Sequence, residues 1–230
     1  MKTIGMIGGM SWESSAVYYR VANREVQRRL GGMHSARLLL WSFDFGEIAA
    51  LQRAGNWDEA EARMVGAGMA LLRGGADFLM ICCNTMHVMA EAVEAAAGIP
   101  LLHIATPLGK AIAEHHVRRV GLLGTHFTLE GDFLRKPLAR DHGIEIMVPD
   151  AEDAKETNRI IYEELSRGRF EDSSRRFLAA AIARLAARGA EGVILGCTEL
   201  PLLVRSEDAG VPLFDTATLH AVAAVDAALA

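Results

Sequence analysis

The sequence predicts an α/β protein in which one half duplicates the other, and two observations lead to this prediction. First, short apolar runs bounded by glycine alternate along the 230 residues with longer stretches of helical period. This alternation is typical of βαβ units around a buried parallel sheet. Second, three segments of the first half recur in the same order in the second half. Recurrence at a nearly fixed offset indicates a duplicated unit.

The apolar runs predict eight strands, placed to within a few residues. They are residues 3–7, 36–42, 77–82, 101–104, 119–123, 144–148, 192–195 and 213–214. Helical patterns fill the intervals, and two helices carry boundary signals. Gly31-Gly32 can stop the helix that begins near Glu13. Asn56 followed by Glu59 resembles a capping box that opens another helix.

The internal repeat predicts the domain organisation. Each repeated segment returns about 115 positions later: residues 4–8 as 120–124, residues 75–85 as 189–199, and residues 98–102 as 210–214. We therefore expect a first α/β half over residues 1–105 and a second over residues 106–211. A C-terminal helix within residues 212–230 is expected to pack back on the first half.

Composition and charge narrow the function. The formal net charge is −5 at pH 7 and no long Lys/Arg run is present, so we expect no nucleic-acid partner and no membrane surface as partner. The first apolar run is too short for a signal peptide or a membrane span. Three cysteines, two of them adjacent as Cys82-Cys83, make a poor disulfide framework. These features predict a cytoplasmic protein with free thiols and a small-molecule substrate.

Two cysteines occupy equivalent positions in the repeat. Cys83 and Cys197 each follow a predicted parallel strand, where α/β folds bind ligands. We expect a helix to begin there, and its N-terminus would lower the thiol pKa from about 8.5 toward neutrality. If a pseudo-two-fold axis relates the halves, the two cysteines approach a bound molecule from opposite faces. One thiolate could then remove an α-proton while the other thiol donates one, which inverts a stereocentre.

The carbanion formed in such a reaction needs stabilisation. No lysine lies in an evident Schiff-base motif, so the stabilisation must be electrostatic. The candidates are backbone N–H groups and short polar side chains at the repeated turns, where a carboxylate can be bound. They are Met10-Ser11, Asn84-Thr85, Thr125 and Thr198-Glu199.

Two motifs carry a resemblance to a known family. The chain contains Cys83-Asn84-Thr85-Met86-His87 and Gly196-Cys197-Thr198-Glu199-Leu200-Pro201, and it opens with a Gly8-Gly9-Met10-Ser11 turn. Over essentially its whole length it resembles the aspartate/glutamate racemase superfamily, in particular the bacterial branch with aspartate/glutamate or broad amino-acid racemase activity.

The resemblance implies two pseudo-symmetric domains, each with a four-stranded parallel sheet flanked by helices, and an active site in the interdomain cleft. It implies an isomerase that uses Cys83 and Cys197, needs no cofactor and no metal, and forms a homodimer. The substrate contacts that it carries over are Met10, Gln52, Asn84, Thr85, Thr125, Thr198 and Glu199.

Two departures from related enzymes bear on the substrate. Glutamate racemases that serve cell-wall synthesis resemble one another in an Asp-Ser-Gly opening and a His after the second Cys-Thr, whereas this chain has Gly9-Met10-Ser11 and Glu199. Strict aspartate racemases share a basic residue soon after the second strand, whereas residues 42–47 here include none and Arg53 lies farther on. These departures favour a broader specificity that includes, for example, homoserine.

Other interpretations stay open at this point. The same scaffold could host hydantoin racemisation, maleate isomerisation or malonate decarboxylation, or a non-catalytic amino-acid sensor. Cys82 can be a small buried hydrophobic residue, and His87 can either tune the Cys83 thiol or be an ordinary helical histidine. A metal site that includes these residues lacks zinc-type spacing. The acidic residues 150–156 predict a solvated helix start.

Overall fold

In the computed structural model, which describes all 230 residues, the chain divides into two units. The first unit comprises Met1–Ile104 together with His220–Ala230, and the second comprises Ala105–Leu219. Each unit contains one four-stranded sheet in which every strand pair is parallel. The prediction of an α/β fold with two such sheets flanked by helices is confirmed.

The elements of the first unit follow in chain order. They are β1 (Ile4–Gly8), α1 (Trp12–Leu30), β2 (Leu38–Ser42), α2 (Phe45–Ala54), α3 (Trp57–Arg73), β3 (Phe78–Ile81), a 3₁₀ turn (Thr85–Met89), α4 (Ala90–Ala97) and β4 (Leu101–Leu102).

The elements of the second unit begin with α5. They are α5 (Ala105–Glu114), β5 (Arg119–Leu123), α6 (His126–Glu130), α7 (Asp132–His142), β6 (Glu145–Met147), α8 (Ala151–Glu163), α9 (Asp172–Ala187), β7 (Gly192–Leu195), α10 (Leu200–Leu203) and β8 (Leu213–Asp215). Two short 3₁₀ turns lie at Leu165–Arg167 and Ser206–Asp208. The last helix, α11 (Thr216–Leu229), begins in the second unit, and its residues from His220 onward belong to the first.

The two sheets have the same strand order. It is β2-β1-β3-β4 in the first unit and β6-β5-β7-β8 in the second, so the third strand of each unit lies beside the first. All eight predicted strands are present, and the two predicted over residues 119–123 and 192–195 have the predicted bounds. β4 is two residues shorter than predicted. The Ile104 N–H donates to the His87 ring rather than extending a sheet ladder.

Each sheet has its own hydrophobic core. In the first unit, Met64 and Leu71 of α3 pack against Leu79 and Ile81 of β3. In the second unit, α8 and α9 supply the apolar side chains that cover β5 and β7. β1, β3 and β7 are buried along their whole length, as strands covered on both faces must be. None of the helices combines the length and apolar character that a membrane-spanning helix needs.

The helix boundaries follow the local signals. α1 ends before Gly31, whose positive φ of 73° suits glycine. The Asn56 side chain accepts the Glu59 N–H and caps α3. The expectation that the acidic segment is merely solvated is wrong for Asp153, which is buried. Its carboxylate accepts two hydrogen bonds from Arg184, at 2.7 and 2.5 Å, because a carboxylate shielded from water needs a paired cation.

Candidate active site

The first loop of the first unit is held tightly at the end of β1. Gly9 has φ = 86°, and a Cβ on it would lie 2.3 Å from the backbone nitrogen of Phe43. The Gly9 N–H donates to Ser15 Oγ (2.8 Å), and the Phe43 N–H donates to the Gly8 carbonyl (3.0 Å). Only glycine fits this conformation and this approach of two backbone segments. The turn leads to Met10, which is buried at the carboxyl end of the sheet.

Gln52 comes to the same end of the sheet from α2. Its side chain is buried, and Nε2 lies 3.3 Å from the sulfur of Met86. Met86 belongs to the 3₁₀ turn that follows Cys83. The predicted contact residue Gln52 is therefore packed beside the cysteine turn of its own unit.

The Cys83 turn begins where β3 stops. The Cys82 N–H still donates to the Ile7 carbonyl (2.8 Å), and the Cys82 side chain is fully buried. Burial, with the neighbouring Cys83 as a second cause, raises the pKa of the Cys82 thiol well above its ordinary value. Cys83 is only half-buried, whereas Asn84 and Thr85 are buried. Of the two adjacent thiols, Cys83 is the one that can meet a ligand.

The helix expected directly after Cys83 is not an α-helix. The chain forms a five-residue 3₁₀ turn, and α4 begins only at Ala90. The His87 backbone N–H donates to the Asn84 carbonyl (3.0 Å), three residues back, while Nδ1 of the His87 ring donates to the Cys83 carbonyl (2.7 Å). This side-chain bond replaces the i→i−4 backbone bond that an α-helix would make. The helix expected after Cys83 is thus present, but its first turn is 3₁₀ and only its continuation from Ala90 is α-helical.

His87 is a fixed part of this turn. Its side chain is buried, Nδ1 faces the Cys83 carbonyl, and Nε2 accepts the Ile104 N–H at 3.2 Å. Burial is the main cause that lowers its pKa well below the ordinary value, and the nearby rings of His103 and His220 lower it further. His87 thus stays neutral and is bonded to the cysteine backbone.

The Cys197 turn has the same position in the second unit. The Gly196 N–H donates to the Leu123 carbonyl (2.7 Å), and a Cβ on Gly196 would lie 2.6 Å from the Leu122 side chain. Cys197 follows half-buried, and the helix after it, α10, has only four residues. The Cys197 carbonyl accepts the Leu200 N–H (3.1 Å), which closes a tight turn before this short helix.

A carboxylate lies beside the second cysteine. Glu199 is buried, and its Oε2 accepts from Cys197 Sγ at 2.9 Å and from Thr198 Oγ1 at 3.1 Å. Thr85 stands at the position of Glu199 in the first half of the repeat. The two cysteine turns share a position in the repeat, but only the second has a carboxyl group beside its cysteine.

Thr125 occupies the remaining turn, after β5. Its hydroxyl accepts the Thr128 N–H (3.4 Å) and lies 3.3 Å from Thr128 Oγ1, which makes it the N-cap of α6. Its side chain is buried.

Each unit thus gathers its own part of the predicted site at the carboxyl end of its sheet, because parallel strands all end at one edge. In the first unit these residues are Met10, Gln52, Cys83, Asn84 and Thr85, and in the second they are Thr125, Cys197, Thr198 and Glu199. No group of three or more His, Cys, Asp or Glu side chains is placed to hold a metal ion.

Comparison with known proteins adds to this geometry. Residues 7–224 match the family of Asp/Glu/hydantoin racemases. The broad specificity amino-acid racemase RacX of Bacillus subtilis (strain 168) is 26% identical over 150 residues, which cover 64% of this chain and 64% of that protein. This chain thus covers less than two thirds of that relative's length.

Two solved structures match the chain from end to end. A Yersinia pestis protein provisionally described as an Asp/Glu racemase is 47% identical, with a TM-score of 0.92 and 100% of both chains covered. An aspartate racemase homologue from Pyrococcus horikoshii OT3 is 34% identical, with a TM-score of 0.84 and again 100% of both chains covered.

Proposed function

This chain belongs to the Asp/Glu/hydantoin racemase family, and on that premise we propose that it is a cofactor-independent amino-acid racemase that works by two-base proton transfer at the α-carbon. The observation that carries the proposal is the pair of half-buried cysteines at equivalent strand ends, Cys83 after β3 and Cys197 after β7. Inversion requires one proton-transfer group on each face of the stereocentre, and a duplicated cysteine turn can supply both.

In the proposed reaction, the thiolate of one cysteine removes the α-proton from one face of the amino acid. The carbanion that forms then takes a proton from the thiol of the other cysteine on the opposite face. The first cysteine is left as a thiol and the second as a thiolate, so the enzyme is set for the reverse reaction. No electron is transferred and no group other than protons changes place.

The carbanion is proposed to be stabilised by the polar turns at the two sheet edges. Asn84, Thr85 and Thr198 adjoin the cysteines, and Thr125 caps α6 at the neighbouring strand end. Preorganised hydroxyl, amide and backbone N–H groups can hold the substrate carboxylate as it gains charge. Met10 and Gln52 would complete the substrate contacts on the side of the first unit.

Glu199 is proposed to act on Cys197. What supports this role is the 2.9 Å contact between Cys197 Sγ and Glu199 Oε2. An ionised carboxylate at this distance favours the thiol, because a thiolate beside it would place two negative charges together. Thr85, at the equivalent position near Cys83, carries no charge. In the resting enzyme Cys83 would then be the thiolate and Cys197 the acid.

The substrate is proposed to be aspartate or glutamate, within a broad specificity that can include homoserine. The segment after β2 carries Asp44 and Glu47, both exposed, and the next cation along the chain is the exposed Arg53. This segment offers no buried cation for a second substrate carboxylate. A side-chain site without such a cation discriminates less sharply among amino acids.

We propose further that the protein is cytoplasmic and forms a homodimer. Its three cysteines are free, which suits a reducing compartment. Trp12 and Tyr19 of α1 and Leu40 and Trp41 of the edge strand β2 are all more than 40% exposed. Such apolar side chains on an edge strand and its neighbouring helix suit burial against a second copy. Sedimentation velocity tests this proposal, and a monomer at micromolar concentration would contradict it.

The racemase proposal is tested by α-deuteration. The protein is incubated in D₂O under reducing conditions, without added cofactor, with L- and D-amino acids that include Asp, Glu and homoserine. NMR follows the α-deuteron and chiral chromatography follows the enantiomer ratio. We expect exchange and inversion of at least one amino acid, and a loss of inversion on the order of a thousandfold in both Cys83→Ala and Cys197→Ala.

Cys82→Ala is the matched control, because it removes a neighbouring thiol that is fully buried and has no proposed role. Its rate of inversion should stay within a few-fold of the rate of the unsubstituted protein. If no amino acid exchanges its α-proton, the racemase proposal is wrong, and the isomerase, decarboxylase and sensor alternatives take its place.

A further inference from the structure

Two buried histidines, His87 and His220, lie with their ring centroids 5.6 Å apart, and His87 is bonded to the Cys83 turn. His220 of α11 places Nε2 at 2.8 Å from the Leu102 carbonyl and Nδ1 at 3.1 Å from the Tyr18 hydroxyl. A carbonyl can only accept, so Nε2 carries the proton, and Nδ1 accepts from Tyr18. The geometry therefore fixes a single neutral tautomer of His220.

The hydrogen bonds of His87 fix its tautomer in the same way. The Ile104 N–H can only donate, so Nε2 of His87 accepts it at 3.2 Å, and Nδ1 carries the proton that is donated to the Cys83 carbonyl at 2.7 Å. The ring centroids of His87 and His220 are 5.6 Å apart, and that of His103 lies 4.7 Å from His87. The Ile104 N–H thus donates to His87 and His87 donates to the Cys83 carbonyl, whereas His220 joins Tyr18 to the Leu102 carbonyl.

The bond to the Cys83 carbonyl sets the orientation of the next peptide unit. In a trans peptide the C=O and the following N–H point in opposite directions. Because the Cys83 carbonyl points at His87, the Asn84 N–H points away from it. The side chain of His87 thereby determines how the first backbone donor after Cys83 is aimed.

In the second half of the repeat, no histidine side chain can bond to the cysteine carbonyl in this way. The position equivalent to His87 is Pro201, which carries neither an imidazole nor a backbone N–H. There the Cys197 carbonyl accepts the backbone N–H of Leu200 (3.1 Å). One cysteine turn is closed by a side chain and the other by the backbone.

We propose that His87 is a positioning residue for Cys83 alone, and that it acts by holding the Cys83–Asn84 peptide in the orientation that favours the Cys83 thiolate. The inference rests on the proposed racemase function for its kinetic consequence, but its structural content concerns only the reactivity of Cys83. Burial of the His87 ring, which lowers its pKa, keeps it in the neutral tautomer that this role requires.

Three variants test the proposal. His87→Phe keeps the ring volume and removes both hydrogen bonds. His87→Asn keeps an amide N–H close to the position of Nδ1 and should rescue the bond to the Cys83 carbonyl. His103→Phe is the matched control, because it replaces a ring of the same cluster that contacts His87 by its edge.

The main readout is alkylation by iodoacetamide, measured separately at Cys83 and Cys197 by peptide mass spectrometry over a range of pH. In His87→Phe we expect Cys83 to react about fivefold more slowly near neutral pH, with its profile displaced to higher pH, because the thiolate is less favoured. Cys197 should be unchanged. His87→Asn and His103→Phe should both resemble the unsubstituted protein.

The kinetic readout follows if a substrate is found. His87→Phe should then lower kcat by about 10- to 100-fold with little change in KM, since a misplaced acid/base group affects the chemical step rather than binding. If His87→Phe does not fold, as judged by tryptophan fluorescence, His87→Gln replaces it. Its amide oxygen can accept the Ile104 N–H near the position of Nε2, and it has no donor at the position of Nδ1.

The outcomes separate the two proposals. The positioning role is wrong if Cys83 is alkylated at an unaltered rate in folded His87→Phe, or in His87→Gln used in its place. It is also wrong if the rates at Cys83 and Cys197 change equally. Both results hold whether or not any amino acid is racemised. Slower alkylation of Cys83 alone, with rescue by Asn, supports it even if no amino acid is turned over, a result that would count against the racemase function only.

Discussion

The buried His220 should make the first unit sensitive to mild acid. Burial is the main cause that lowers its pKa from 6.5 to about 4, and nearby His103 lowers it further. In the unfolded chain the ring regains its ordinary pKa, so below that value the unfolded state binds more protons than the folded state. The free energy of unfolding must therefore fall as the pH falls from about 7 toward 4, and the fall from this group ends below pH 4.

The magnitude follows from the two pKa values. Between about pH 7.5 and about pH 5.5, the unfolded ring takes up most of a proton and the folded ring almost none. Linkage then gives a loss of about 1.3 kcal/mol from His220 alone. His87 adds to the loss in the same direction, because its pKa is also lowered by burial.

His220→Gln isolates the contribution of one ring. The Gln amide can still donate to the Leu102 carbonyl, but it does not titrate, and it gives up the bond from Tyr18. At neutral pH this variant should be less stable by about 1 kcal/mol. On acidification it should lose about 1.3 kcal/mol less than the unsubstituted protein, because the His220 titration is removed while burial, the main cause of the low His87 pKa, is kept.

Urea unfolding followed by tryptophan fluorescence measures this difference. All three tryptophans, Trp12, Trp41 and Trp57, lie in the first unit, so the signal reports that unit. If His220→Gln loses as much stability between the two pH values as the unsubstituted protein, the folded ring is not held neutral, and the reasoning from burial is refuted.

Two further predictions concern backbone conformation and a buried hydroxyl. Gly9→Ala should destabilise the first unit by about 2–3 kcal/mol, since its Cβ would meet Phe43 at a positive φ, whereas Gly55→Ala, with φ = 67° and open space around it, should cost about 1 kcal/mol. Equal losses in urea unfolding would contradict this. Thr157→Val should stabilise the second unit by about 1 kcal/mol, because the Thr157 hydroxyl is buried without a hydrogen-bond partner. Thermal unfolding by circular dichroism checks it against Thr128→Val, which removes a bonded hydroxyl and should lower stability.

Most of the fold could be predicted because its signals are local or repeated. Glycine-bounded aliphatic runs located the strands, and the repeat predicted two similar sheets. β4 was predicted too long because the pattern of residues 101–104 is apolar throughout. What ends the strand is the bond from the Ile104 N–H to His87, seventeen residues away along the chain, and no local pattern encodes it.

The candidate site was predicted in its residues but not in its local geometry. Strand ends located Cys83 and Cys197, but the 3₁₀ geometry before α4 and the four-residue length of α10 were not predicted. The contact of Cys197 with Glu199 spans two residues and could have been anticipated from the spacing. The part played by His220 could not, because it reaches Leu102 only through the return of α11 to the first unit.

Because α11 returns to the first unit, the residues of that unit are not all synthesised until the end of the chain is reached. The first unit needs His220–Ala230, where Val225 packs on Ala22 and Val26 and the Ala228 carbonyl accepts the Lys2 N–H. The second unit is continuous from Ala105 to Leu219. During synthesis on a ribosome, the second unit therefore has all of its residues before the first does. The unit that begins to emerge first finishes last, and one face of α1 stays uncovered until α11 has been made.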